Sequence, residues 1–361
     1  MKRFLSFSKT TLLVVIISTL TFLIAELLVR IILPQDKMVT WIEMHPDGFV
    51  MNQSNGTAFQ EFGDRKAEYR FNKERLRGGQ IQSDKVNILT IGDSFTFGLL
   101  LNEEDTYVHL LQHKANQAFA DSIQFLNAAV GGSGLADWPG WLENYGEPTK
   151  PDYIIYFMNY DDINRALSKN LFVYDPTFPD SLIPSQRWRS KSFVNKLSNK
   201  KWYRRFQANS EIANIIVKVL WNNLYFEDLT GNFDPELSTV PIPSLGSFQN
   251  DSDYSNLLAH SILKKIDRWC KQNSCEFLIV TTGFLEDKNM SSFDKKFYDL
   301  LKDPDQKFDI EYFENSQCVQ TRANSNLDEL RIPGDSHPNK KGAKIVADCT
   351  WEKLVNKLGN Q

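Results

Sequence analysis

A serine in a short glycine-bounded turn is the first residue that could do chemistry. Ser94 follows the apolar run 86–91 and lies between Gly92 and Gly98 in "GDSFTFG". A tight turn after a strand presents a hydroxyl, and nearby backbone N–H groups can stabilise a developing oxyanion. Glycine, aspartate and serine also dominate ordinary turns, so the motif alone allows either a nucleophile or a simple turn.

His337 has surroundings that suit a general base. It lies in "GDSHPNKKG", two residues after Asp335 and just before the last predicted helix. If this segment is extended, residues two apart point the same way, and Asp335 can then fix the tautomer of the imidazole. The alternative is a surface turn in which Ser336 or Asn339 caps the helix.

From residue 86 onward, short apolar runs alternate with helical patterns. The predicted strands and helices cover 86–91, 123–130, 153–158 and 275–282, and 106–119, 137–145, 254–272, about 292–302 and the C-terminal end. This alternation is typical of an α/β fold, a three-layer sandwich with a mainly parallel central sheet. Ligands bind beyond the carboxyl ends of such strands, so "GDS", "GGSG" and "NYDD" are expected to converge.

The N-terminal segment predicts a transmembrane helix. Residues 11–29 are apolar except for Glu26, close to the ~20 residues that cross a bilayer, and we place the signal-anchor at 11–33. Three basic residues precede the run, which favours a cytoplasmic N-terminus at 1–10 and an extracytoplasmic domain, periplasmic in a bacterium. A cleaved signal peptide or a buried core helix is the alternative.

Composition divides the rest of the chain. Residues 34–82 are polar and aromatic and are interpreted as a stalk and lead-in, and 83–361 as one domain with an insertion at about 165–253. The insertion contains the basic, aromatic stretch 186–206 and a helical pattern at 210–226. The basic stretch either lies on an anionic membrane surface or is a solvated helix face.

Charge argues against a nucleic-acid partner. The 361 residues carry a net charge of −4, which provides no general basic field for a polyanion.

All four cysteines lie in the C-terminal part of the chain, at Cys270, Cys275, Cys318 and Cys349. They are compatible with disulfides outside the cytoplasm or with buried thiols, and their pairing stays open.

Metal and cofactor motifs are incomplete. His109 and His113 have the spacing of two zinc ligands on a helix, but Leu110 stands where a zincin has glutamate. "GGSG" lacks the full dinucleotide-binding pattern. We therefore predict neither a metal nor a cofactor.

Four blocks in order resemble the SGNH (GDSL-type) hydrolase superfamily. They are "GDSFTFG", "NAAVGGSG", "FMNYDDI" and "DSHPNKKGAKIVAD", and the resemblance covers about residues 86–358. The segment "EEDTYVHLL" is also similar to the helix after the serine in membrane-anchored members. The resemblance implies the flavodoxin-like sandwich of that superfamily.

The resemblance also implies roles for individual residues. Ser94 would be the nucleophile, with its own N–H donating to the oxyanion, and Gly132 would provide a second N–H. His337 would be the general base, and Asp335 would orient it. Asp335 stands two residues before the histidine, whereas many members place the acid three residues before it, where this chain has Gly334.

The third block departs from the pattern of the superfamily. Asp161 occupies the position where Asn usually stands before Asp, and a carboxylate would oppose an oxyanion unless it is protonated or turned away. Asn159, two residues earlier, could supply the amide. The third oxyanion donor is therefore expected from Asn159 or Asp161.

Together these features predict a membrane-anchored, extracytoplasmic serine esterase. It would cleave O-acyl esters, with O-acetyl esters expected, on a small molecule or a polysaccharide through an acyl-serine intermediate. The alternatives are an O-acetyltransferase acting on cell-surface polysaccharide, or a catalytically eroded SGNH-like module that binds carbohydrate.

Overall fold

The structure is a computed structural model of the 361-residue chain. It describes residues 2–175, 177, 181–184, 200–220, 252–284, 292–302, 310–324 and 326–359. The strands are β1 Ile42–Met44, β2 Val50–Asn52, β3 Gly56–Phe62, β4 Arg65–Phe71, β5 Val86–Gly92, β6 Ile123–Asn127, β7 Tyr153–Met158, β8 Phe172–Tyr174, β9 Leu182–Pro184, β10 Glu276–Thr281 and β11 Glu311–Phe313. The α-helices are α1 Lys2–Ile32, α2 Ser94–Phe97, α3 Tyr107–Phe119, α4 Asp137–Trp141, α5 Asp162–Lys169, α6 Lys201–Asn209, α7 Glu211–Leu220, α8 Ser252–Gln272, α9 Ser292–Lys302, α10 Ser316–Arg322 and α11 Lys340–Leu358.

Five parallel strands form the central sheet in the order β6-β5-β7-β10-β11. The chain passes from β5 to β6 on one side and then crosses to β7 on the other side. The strand order therefore reverses between β5 and β7, which is where flavodoxin-like sheets open a crevice at their carboxyl edge. The predicted mainly parallel sheet is confirmed.

Both faces of the sheet are covered by helices because its strands are apolar on both sides. Ile88 of β5 packs with residues of α3, α10 and α11, whereas Leu89 and Ile91 pack with residues of α4, α5, α8 and α9. Alternate residues of one strand thus enter two separate cores. The three-layer sandwich predicted from the sequence is confirmed.

The segment 34–82 is folded against the domain and is not an extended stalk. Strands β3 and β4 form an antiparallel hairpin. Ala67, Tyr69 and Phe71 of β4 are buried at every second position, and they pack with Trp41 and Phe97. The charged residues between them hid this period of two in the sequence.

The insertion begins later than predicted. Residue 165 lies within α5, whose Ile163 and Ala166 are buried in the core, so the predicted start at about 165 falls inside a helix of the domain. The basic stretch 186–206 is described only from residue 200, and the helical pattern at 210–226 only through α7. The remainder of both lies outside the described residues.

Helix α1 has the length and composition of a membrane span over Lys9–Ile32, and this part of it is not buried in the protein.

The four cysteines form the disulfides Cys270–Cys275 and Cys318–Cys349. The first closes the loop between α8 and β10, and the second joins α10 to α11.

Candidate active site

The turn after β5 presents Ser94 at the point where the strand order reverses. Asp93 caps the short helix α2, in which Ser94 is the first residue. Gly92 has no substitute here, because a Cβ would lie 2.2 Å from Thr96 Oγ1 and 3.0 Å from the carbonyl oxygen of Phe157. Close packing of strand, turn and helix therefore fixes the position of the hydroxyl.

Ser94, His337 and Asp335 form a continuous chain of hydrogen-bonding groups. His337 Nε2 lies 2.7 Å from Ser94 Oγ, and His337 Nδ1 lies 2.5 Å from Asp335 Oδ1. The same Asp335 oxygen accepts a 2.8 Å bond from the backbone N–H of His337. The loop is a turn closed by bonds to Ile332 rather than the extended segment considered above, and the turn brings the two side chains together.

Burial and hydrogen bonding set the ionisation of the acid. Burial raises the pKa of Asp335, but the hydrogen bonds and charge interaction with His337 outweigh it and hold the pKa below its ordinary value. The carboxylate is therefore negative at neutral pH. Ser94 is only 7% exposed, and the Phe95 ring lies 5.0 Å from the His337 ring, so one side of the site is apolar.

Two backbone N–H groups bear on the predicted oxyanion site, that of Ser94 itself and that of Gly132. Among the residues that the structure describes, none accepts a hydrogen bond from the N–H of Ser94 or of Gly132. Gly132 has φ +76°, which favours glycine, and a Cβ there would meet no atom within 4 Å. A Cβ at the preceding Gly131 would lie 4.0 Å from Ser94 Cβ, so this loop passes close to the turn that carries Ser94.

Asn159 supports the turn that carries Ser94. Its Nδ2 donates to Asp93 Oδ2 at 2.9 Å, and its Oδ1 accepts from Thr282 Oγ1 at 3.1 Å. The second N–H of the amide is the one that the predicted oxyanion role would use. The other candidate, Asp161, has no N–H on its side chain and instead accepts bonds from two residues of α5.

Arg165 pairs with Asp161, the acid that stands in the third sequence block where asparagine was expected. Its Nε donates to Asp161 Oδ2 at 3.0 Å, and its Nη1 donates to Asp93 Oδ2 and to the carbonyl oxygen of Ser133, both at 3.0 Å. Burial opposes the charge of Arg165, but the surrounding carboxylates outweigh it and raise its pKa. Arg165 was not predicted from the sequence, although its i, i+4 spacing from Asp161 was an available signal.

The second acid of the third block is fully buried. Asp162 Oδ2 accepts 2.7 Å bonds from the hydroxyl of Tyr156 and from the N–H of Asn159. Burial, and then the charge of Asp93, raise the pKa of Asp162 well above its ordinary value. Its neutral form is thereby favoured, which limits the negative charge beneath the turn.

Arg77, also not predicted from the sequence, contacts the far side of the turn that carries Ser94. Its guanidinium donates to the carbonyl oxygens of Phe97 at 2.5 Å, Gly98 at 2.9 Å and Leu101 at 2.6 Å. It also lies over the ring of Tyr69, 4.7 Å from the centroid. Burial lowers the pKa of Arg77 to about 10, so the group remains charged at neutral pH.

The two helical histidines lie away from these contacts. His109 and His113 are exposed on α3. Within the described residues, no group of three or more His, Cys, Asp and Glu side chains is arranged to hold a metal ion.

Comparisons with known proteins give structural likenesses only. No family model matches the chain, and no curated protein matches it. The esterase EstA from Pseudoalteromonas sp. shares 13% identity over 76% of this chain and 100% of its own, with a TM-score of 0.40. A catalytic mutant of Axe2, an acetylxylan esterase from Geobacillus stearothermophilus, shares 12% over 76% and 96%, with a TM-score of 0.42. The chemistry of this site therefore rests on the geometry of its own residues.

Proposed function

We propose that the protein is a serine esterase that cleaves O-acyl esters through an acyl-Ser94 intermediate. One observation carries the proposal: Asp335, His337 and Ser94 are joined by contacts of 2.5 and 2.7 Å at the carboxyl end of the sheet. A histidine held on one side by a carboxylate and on the other by a hydroxyl has the arrangement that converts serine into a nucleophile.

The same residues account for each step. His337 Nε2 takes the proton of Ser94 as Oγ bonds to the ester carbonyl carbon, and Asp335 stabilises the imidazolium. The carbon–oxygen bond to the alcohol then breaks, and the alcohol takes the proton from His337. Water repeats the sequence on acyl-Ser94, which releases the carboxylic acid and restores the serine.

The proposed oxyanion site consists of the backbone N–H groups of Ser94 and Gly132, with Asn159 as a third donor. The first two have no acceptor among the described residues, and the loop that carries Gly132 passes beside Ser94. Donors that are already in place stabilise charge without reorganising during the reaction. The pairing of Asp161 with Arg165 supports this assignment, because it offsets a negative charge near the developing oxyanion.

We also propose that α1 is an uncleaved anchor, with its span at 11–33, residues 1–10 in the cytoplasm and the domain on the other side. Its apolar length supports a membrane span, and the three basic residues before the apolar run and the two disulfides support this orientation. Contacts between α1 and residues 209–212 support retention of the helix, because cleavage would remove the acceptor that Glu26 provides to the start of α7.

The experiment uses the full chain in detergent with an aryl acetate and a fluorophosphonate probe. Ser94→Ala should abolish both turnover and labelling, whereas Ser122→Ala, at an exposed serine remote in sequence, should change neither. Unchanged turnover in Ser94→Ala would refute the nucleophile. A folded wild-type protein that neither labels nor turns over would instead indicate a carbohydrate-binding module.

The same assay separates hydrolysis from acyl transfer. Both proceed through acyl-Ser94 and differ in whether water or a sugar hydroxyl attacks it. The protein is therefore incubated with the aryl acetate, with and without oligosaccharide acceptors, and the products are identified by mass spectrometry. Free acetate alone would support the esterase, and acetylated oligosaccharide would favour transfer to cell-surface polysaccharide.

A further inference from the structure

The helices α6 and α7 carry large apolar side chains on the surface of the protein. Trp202 is 63% exposed, Phe206 is 44% exposed and Ile216 is 51% exposed. Exposed apolar groups this large and this close in the chain indicate a contact surface. Their position relative to α1 identifies what covers them.

The first turn of helix α7 is bonded to Glu26, a residue of the membrane span in α1. Glu26 of α1 accepts bonds from Ser210 Oγ at 2.9 Å, from the N–H of Glu211 at 2.8 Å and from the N–H of Ile212 at 3.2 Å. These are N–H groups that a helix leaves without partners at its first turn. The acid that interrupts the apolar run therefore acts as the acceptor for the start of α7.

A band of polar contacts lies around the C-terminal end of α1. Arg30 donates to the carbonyl oxygen of Asn209 at 2.9 Å, and Lys37 Nζ lies 3.3 Å from Glu211 Oε1. Toward the centre of the span, the ring of Phe22 stacks on Phe206 at 6.2 Å between centroids. The apolar surface of α6 thus continues the apolar surface of α1, on the membrane side of the polar band.

The opposite side of α6 is attached to the domain. Arg204 is 9% exposed, pairs with Glu43 at 2.9 Å and bonds to Gln53. The helix therefore directs Arg204 to the domain and leaves Trp202 and Phe206 exposed, with Phe206 beside the span. Tryptophan with cationic neighbours is favoured where hydrocarbon meets lipid headgroups.

We propose that residues 201–220 form a second membrane contact, in which Trp202, Phe206 and Ile216 insert into the leaflet that surrounds the end of α1. The occupant of this surface is lipid, because Phe206 contacts Phe22 of the span. The next residues of the span, Leu23 and Ile24, are exposed on the surface that would face the bilayer. The inference rests on the proposed anchor. It makes the insertion a support that fixes the catalytic domain against the membrane.

The test measures the environment of single spin labels on the full chain in phosphatidylcholine nanodiscs. The four native cysteines are paired, so Trp202→Cys, Phe206→Cys and Ile216→Cys each provide one labelling site. Leu23→Cys reports the anchor, and Lys344→Cys, on the exposed side of α11, reports water. Collisions of each label with oxygen, which concentrates in lipid, are compared with collisions with a water-soluble nickel complex.

We expect the three labels on α6 and α7 to collide more with oxygen than with nickel, as the label at Leu23 does, and the label at Lys344 to show the reverse. A lipid signal at Leu23 with a water signal at all three sites would overturn the proposal and leave the anchor intact. Labels shielded from both reagents would overturn it in favour of a protein partner or a second copy. A water signal at Leu23 would reject the anchor itself, and esterase turnover in the same samples is scored separately.

Discussion

Replacing Asp335 by asparagine distinguishes two ways in which the acid can act. In the structure, Asp335 Oδ1 accepts both the ring Nδ1–H and the backbone N–H of His337, at 2.5 and 2.8 Å. An asparagine amide that keeps its oxygen in this place satisfies both donors. An amide that turns round would aim its own N–H groups at them and would force the proton of the ring onto Nε2, the wrong tautomer for a base.

The magnitude follows from those two bonds. Turning the amide leaves a backbone N–H without an acceptor, which costs about 1 to 3 kcal/mol and opposes the wrong tautomer. In Asp335→Asn the amide oxygen therefore stays in place, and only the negative charge is lost. Exchanging a charged acceptor for a neutral one in two bonds costs about 2 kcal/mol, or about 30-fold in kcat/KM. Asp335→Ala removes both bonds and is expected to lose roughly 1,000-fold or more.

The assay is aryl acetate hydrolysis by the two variants, with unfolding followed in parallel. Asp328→Asn is the matched control, because Asp328 is an exposed acid just before the same loop, and it should retain wild-type activity. Equal losses of activity in Asp335→Asn and Asp335→Ala would contradict this expectation, because they would show that the amide has turned round and that the second bond does not hold it.

Stability should depend on pH with a defined sign. Burial raises the pKa of Asp335, but its interactions with His337 lower the pKa by a larger amount. The folded protein therefore binds this proton less readily than the unfolded chain does. A carboxylate of this kind stabilises the fold above its unfolded pKa of about 3.9, and the effect is lost as pH falls through the lower folded value. The stability difference between wild type and Asp335→Asn should shrink as the pH falls below about 4.

Three further predictions concern groups around the triad. Arg77→Gln should lower the free energy of unfolding by about 3 kcal/mol, because three carbonyl oxygens lose a charged donor; a loss below about 1 kcal/mol in denaturant titration would contradict this. Arg165→Gln should lower kcat/KM about 100-fold by leaving two carboxylates unpaired, and adding Asp161→Asn should recover about tenfold; kinetics without recovery would show that the pairing does not matter. Replacing Cys318 and Cys349 by serine should cost about 3 to 4 kcal/mol of stability while kcat is retained, and an unchanged unfolding midpoint would reject that role.

The sequence was informative where chemistry depends on local order. Ser94 and Gly132 follow strands that are rich in apolar residues and buried on both faces, and such strands are easily recognised. The predicted sheet was therefore correct, and the structure brings Ser94, His337 and Asp335 together although 243 positions separate the serine from the histidine. The contact between the last two arises in a turn, since Asp335 accepts from the residue two positions later, and not from an extended strand.

The supporting charges could not be predicted because their partners are distant or disguised. Arg77 contacts carbonyl oxygens, which carry no sequence signal, across 20 to 24 residues. Arg165 reaches Asp93 across 72 residues, and only its bond to Asp161 has a recognisable helical spacing. In β4, charged residues alternate with buried ones, so a segment that completes the core has the composition of a linker.

The bonds from Arg77 to the turn that carries Ser94 have a practical consequence for producing the protein. A recombinant fragment that starts where the central sheet starts, at Val86, would lack this guanidinium and the aromatic ring beneath it. Such a fragment would be expected to precipitate or to be inactive while still containing every residue of the triad. A secreted version intended for crystallisation should begin before Met38, which bridges to Gln60 of the hairpin.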